Sequence, residues 1–126
     1  MRVGPQAEKF GAFVVAKLHD ASIDFFDRLA QGHWKAPRLQ ALQAALATFT
    51  DEQRAIVRRS VLAVLETGLH NFLTALDEAR YCGEGIAVVV DGCDIAEQSD
   101  GLSGELYGET GWLARYRKHG GFTEPE

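Results

Sequence analysis

The sequence predicts a single α+β domain, mostly helical: two long amphipathic helices with a shorter one between them, then a carboxy-terminal β-hairpin with a glycine-rich extension. Three observations predict it. Apolar residues recur every three or four positions from Phe10 to Leu76. The pattern changes to strand-like alternation on either side of Asp91-Gly92. The chain has 126 residues, 46% hydrophobic and 25% charged, which suits one domain with an ordinary core. The helical part is expected over about 5–82 and the hairpin and glycine-rich part over about 85–120, with no linker long enough to separate two domains.

Gly4-Pro5 opens the first helix, because proline in the first turn loses no hydrogen bond. Phe10, Val14, Leu18, Ala21, Phe25 and Leu29 form its apolar stripe, widened by Val15 and Phe26. Gly32 stops it, and His33-Trp34-Lys35-Ala36 connects to a second helix starting at Pro37, whose Leu39, Leu42, Leu46 and Phe49 define one buried face. Thr50-Asp51-Glu52-Gln53 is a capping box, so a third helix starts there and persists to about Tyr81. Its stripe is Val57, Val61, Leu65, Leu69, Phe72, Leu73 and Leu76, with Gly68 at the edge permitting a close crossing or a bend.

After Cys82-Gly83, Ile86–Val90 and Cys93–Glu97 read as two strands joined by a tight Asp91-Gly92 turn. Gly101, Gly104, Gly108 and Gly111 fall at helical spacing, but four glycines cost about 4 kcal/mol against alanine, which favours irregular loop. Trp112, Leu113 and Tyr116 then support a short terminal helix ending at Gly120-Gly121.

The net charge of −5 is unevenly placed: residues 1–76 carry +2, residues 77–112 carry −8 and the remainder +1. The acidic block argues against nucleic acid and anionic membrane as partners, since phosphate contacts need Lys and Arg. The amino-terminal MRVGPQAEKF lacks the pattern of a signal peptide, no stretch is long and apolar enough for a membrane span, and Cys82 and Cys93 form neither a CxxC pair nor a disulfide framework. These features predict a cytoplasmic protein with reduced thiols.

Candidate chemistry is sparse. Asp91, Asp94, Glu97 and Asp100 recur every third residue, but they do not match the calcium-loop pattern, and strand alternation sends Asp91 and Asp94 to opposite faces. No metal and no cofactor is therefore expected. Neither phosphate-loop glycine pattern is present, and no G-x-S-x-G elbow marks a nucleophile. Glu66, His70 and Asp77 share one side of the third helix, opposite its apolar stripe, and form the alternative reading of a small metal-dependent or hydrolytic enzyme. His19 reads as a boundary residue of the first helix, and Trp34 as an indole closing the end of the core.

The stretch VVVDGCDIAEQSDGLSGELYGETGWLARY, with its V-D-G, S-D-G-L, G-E and G-W phrases, resembles a group of small bacterial proteins with an amino-terminal helical part. That resemblance implies neither an activity nor catalytic residues. By type, small acidic proteins of this kind include immunity proteins, which present carboxylates to a basic active site. The leading expectation is thus a non-catalytic interaction module in which Asp91, Asp94, Glu97, Asp100, Glu105 and Glu109 dock a basic protein partner, with Tyr107 or Trp112 as an aromatic anchor. The helical stripes also carry more apolar face than one hairpin and one short helix can cover, which predicts a homodimer through the first and third helices.

Overall fold

The computed structural model describes residues 4–120. One continuous helical rod leads the chain, made of α1 (Pro5–Val14), a π-helical segment (Val15–Asp20) and α2 (Ala21–Ala30). It is followed by α3 (Pro37–Ala47), the 31-residue α4 (Asp51–Tyr81), β1 (Val89–Val90), β2 (Cys93–Asp94), 3₁₀ turns at Ile95–Gln98 and Leu102–Glu105, and α5 (Trp112–Tyr116). This is a mostly helical α+β fold with a small antiparallel hairpin near its carboxy-terminal end, as the sequence predicts.

Local chemistry accounts for most of the boundaries. Pro37 stands at the start of α3 and Pro5 at the start of α1. The Thr50 hydroxyl accepts from Gln53 N–H at 3.1 Å while the Gln53 side chain accepts from Thr50 N–H at 2.8 Å, so α4 begins in the predicted capping box. Asp91 (φ 49°) and Gly92 (φ 79°) both adopt the left-handed region that a two-residue hairpin turn requires. The register pairs Val89 with Asp94 and Val90 with Cys93. The second strand ends at Asp94 rather than Glu97, because the Asp94 carboxylate accepts from Ala96 N–H at 3.1 Å and turns the chain into a 3₁₀ helix. That turn leaves Ile86 and Ala87 without a facing partner, and the first strand shortens with it. The terminal helix stops at Tyr116, short of the expected Gly120-Gly121; Gly121 and Met1–Val3, the start of the stretch searched for a leader, lie outside the described residues.

Among the described residues, two hydrophobic clusters make up much of the core. Ala7, Val14 and Val15 of the leading rod, Leu69, Leu73 and Leu76 of α4, and Ile95, Leu102, Leu106, Trp112 and Leu113 form the larger one. The carboxy-terminal lobe is therefore wrapped onto the helices. A smaller cluster of Leu29, Leu39 and Leu46 sits under α3, closed by Trp34 as expected.

Several predicted stripes are rotated. Leu18 and Phe25 are 42% and 40% exposed, whereas Ala7, Gly11, Val15, His19 and Ile23, four apart, face inward. A strict four-residue step drifts around a 3.6-residue helix, and the wider π turn restores its phase. Leu42 of α3 and Phe49 just beyond it are exposed and Gln43 is buried, because its amide bridges Trp34 N–H (2.9 Å) and Trp34 C=O (2.8 Å). In α4 the inward face is Leu62, Glu66, Leu69, Leu73 and Leu76, so Glu66 lies on the core side and not opposite to it.

Gly11 is where the rod meets the lobe. A Cβ there would lie 2.3 Å from the Trp112 indole, while Phe10 meets the same ring edge-on at 6.2 Å. Gly11→Ala is expected to destabilise the protein by about 2 kcal/mol net, because overpacking against a fixed indole outweighs the helix-propensity gain of alanine. A urea midpoint for Gly11→Ala equal to or above that of the natural chain would contradict this packing.

Candidate functional site

Two polar assemblies stand out, one inside the protein and one on its surface. The interior one is built on the π segment. Ala21 N–H donates to Ala16 C=O, five residues back, and this widened turn directs both His19 and Asp20 inward. His19, with no exposed surface, lies with Nε2 2.9 Å from Glu66 Oε2 and Nδ1 3.1 Å from Asp20 Oδ1. The Arg117 guanidinium approaches the same Glu66 oxygen at 3.6 Å. With His19 protonated, both ring nitrogens donate, and two cations balance two carboxylates. Burial opposes that charge, but the hydrogen bonds to Glu66 and Asp20 and the attraction of both carboxylates outweigh it, raising the His19 pKa above its usual 6.5.

The cluster also ties down the end of the described chain. Asp20 accepts from Lys118 N–H at 2.9 Å and from His119 N–H at 3.4 Å. Asp24 takes His119 Nε2 at 2.8 Å and Lys118 Nζ at 3.2 Å, and the His119 hydrogen bond leads the causes that hold its pKa below the usual carboxylate value. Enclosed on every side, His19 has no nitrogen to offer a substrate, so the cluster acts as a latch joining the π segment, α4 and residues 117–119. Sequence reasoning placed His19 at a helix edge; the four-residue series Ala7, Gly11, Val15, His19, Ile23 was the signal that could have found it.

The surface assembly lies at the carboxy-terminal end of α4. Asp94 and Glu97 converge on Arg80, at 3.3 and 3.5 Å. Asp77, Arg80, Tyr81, Ala96, Asp100 and Gly101 line an open groove of about 670 Å³. Both Asp77 oxygens are engaged, by Leu102 N–H at 2.8 Å and Ser103 N–H at 3.0 Å, which fixes the second 3₁₀ turn to α4. Tyr81 stands 93% exposed beside the groove.

The other predicted site residues disperse. Asp91 pairs with Lys9 of α1 at 2.9 Å, and Glu105 accepts from the Ser99 hydroxyl at 2.7 Å. Glu109 is exposed. Tyr107 stacks on His70 at 5.6 Å and donates to the Glu66 carbonyl at 3.2 Å, with burial foremost and Glu66 second in raising its pKa. Trp112 is fully buried against Gly11, so it serves the core and is not a surface anchor. Glu66, His70 and Asp77 each have a separate partner: His19, Tyr107 and the 3₁₀ turn. Among the described residues no three His, Cys, Asp or Glu side chains are grouped to hold a metal ion, and no helix is long and apolar enough to cross a membrane. Cys82 and Cys93 are free thiols.

No protein-family model matches the chain, and neither a curated protein nor a solved structure matches it.

The latch has a pH signature. A pKa raised on folding contributes stability that is fully present below 6.5 and is lost as pH climbs through the folded value. The urea stability of the natural chain should therefore decline above pH 6.5 more steeply than that of His19→Gln. His19→Ala, which leaves two buried carboxylates short of a partner, should cost about 3 kcal/mol. Parallel pH profiles for the natural chain and His19→Gln would remove His19 as the titrating group.

Proposed function

We propose that the protein is a non-catalytic interaction module that captures a basic segment of another protein at the acidic end of α4. One observation carries this reading: Asp94 and Glu97 of the lobe pair with Arg80, the one basic residue lining an open groove that Asp77, Asp100 and a 93% exposed Tyr81 also line. The negative end of the α4 dipole adds to the potential there, although Glu78, Ala79 and Arg80 C=O accept from Cys82, Glu84 and Gly83 N–H. An arriving Lys or Arg can pair with the carboxylates at the rim and lie over the Tyr81 face, a contact favoured by the ring quadrupole. Asp91, Glu105 and Glu109, on the same lobe, extend the negative field that steers a cationic partner, with Tyr107 exposed beside them in sequence. Docking to the basic active site of a toxin, in the manner of an immunity protein, is one version of this role.

The test is calorimetric titration with an arginine- and lysine-rich peptide, using the natural chain and a Glu97→Lys/Asp100→Lys double variant. Binding should weaken about tenfold in the double variant, and also on raising salt from about 50 to about 300 mM, as expected for rim charges. Both positions are exposed, so the helical circular dichroism should be unchanged. Absence of binding at low salt, or undiminished binding by the double variant, would remove the proposal.

A further inference from the structure

The middle of α4 carries a second face with no partner among the described residues. Ser22 of α2 and Ile56, Val57, Val61, Val64 and Leu65 of α4 border an apolar groove of about 480 Å³, which continues past Val64 along Thr67, Gly68 and Asn71. Ile56 is 49% exposed, Val64 73% and Phe72 53%. Positions 54, 57, 61, 64, 68, 71, 75 and 78 follow one another at alternating steps of three and four, which is the seam of a coiled coil. Its occupants are Arg54, Val57, Val61, Val64, Gly68, Asn71, Ala75 and Glu78.

That series is complementary to itself when reversed. Turning it about a two-fold axis at position 66 sets Val64 against Gly68, Val61 against Asn71, Val57 against Ala75 and Arg54 against Glu78. A bulky residue meets a small one in two of the four layers, and the outermost brings Glu78 to Arg54, which already pairs with Asp51 of its own chain. Gly68 has open space where its Cβ would be, so nothing among the described residues calls for glycine, whereas an approaching Val64 does. The exposed parts of Ile56, Val64 and Phe72, with Leu18 one turn from Ser22 on the leading rod, amount to roughly 400 Å², near the apolar share of the ~800 Å² per partner of a standard interface.

We infer that this face is closed by a second copy of the chain, with α4 packed antiparallel on its counterpart about an axis between Val64 and Gly68. The pair of rods and the pair of α4 helices then form a four-helix arrangement. This inference stands on a different face from the acidic groove, and each can fail without the other.

Sedimentation equilibrium of the full chain at up to about 100 µM should give twice the 13.8 kDa monomer mass. Val64→Glu, at a site 73% exposed in the monomer, should sediment as a monomer with unchanged circular dichroism. Gly68→Leu, whose Cβ meets nothing among the described residues, should keep its helicity and weaken dimerisation at least about tenfold. In a Cys82→Ser background, Val64→Cys chains mixed with Gly68→Cys chains should form a cross-chain disulfide that neither forms alone. A natural chain that remains monomeric overturns the inference, as does a dimer unaffected by Val64→Glu or one in which Val64→Cys couples to itself.

Discussion

The architecture depends on the burial of His19 between two carboxylates. Taking an imidazole and two acids out of water is unfavourable unless each charge finds a partner, and those partners come from three separate parts of the chain. The π segment supplies His19 and Asp20, α4 supplies Glu66, and the end of the described chain supplies Arg117 and the amides of residues 118 and 119. Satisfying them sets the rotation of α4, since Glu66 must face inward and Leu62, Leu69 and Leu73 turn with it. It also sets where the lobe ends, because residues 117–119 have to return to the leading rod after α5.

Between these fixed points the lobe is held by contacts of a different kind. Trp112 packs against Gly11, Gln98 caps the first turn of α1 through Ala7 N–H at 2.9 Å, and Arg115 reaches Glu8 at 2.6 Å. The 3₁₀ turns and glycines thus form a strap whose irregular path is dictated by reaching three points on the helices. Few of its backbone groups pair in a ladder. Its order comes from side chains such as Asp77 and Asp94, which accept from N–H groups left over by the turns.

How much of this was legible in the sequence follows from the range of each determinant. The Thr50–Gln53 box, Pro5, Pro37 and the Asp91-Gly92 turn act within four residues, and the structure places each element they announce. Which face of a helix turns inward is decided by its neighbours. Counting Phe, Leu and Val favoured Leu18, Phe25 and Phe72, while the inward positions include Ala7, Gly11, His19, Gln43 and Glu66, small or polar residues that enter because a specific partner awaits them. The acidic block shows the same limit. Its charge was evident, but Asp91 is matched by Lys9, 82 positions away, and Asp94 and Glu97 share Arg80, so only part of the block converges.

The length of α4 links the surfaces this fold leaves open. At 1.5 Å per residue its 31 residues span about 46 Å, far more than the lobe covers. The lobe packs against the half that contains Leu69, Leu73 and Leu76, and α3 covers the end of α2, which among the described residues leaves Val57, Val61 and Val64 bordered by little more than Ser22. A helix that retains an apolar seam beyond its own core needs some other surface to justify that seam. Its acidic groove opens beside the last layer of that seam, toward the lobe. Antiparallel pairing would leave that end open on both copies and set the two grooves at opposite ends of the assembly. A basic partner repeated at that separation would then engage both ends at once, gaining avidity without any new contact.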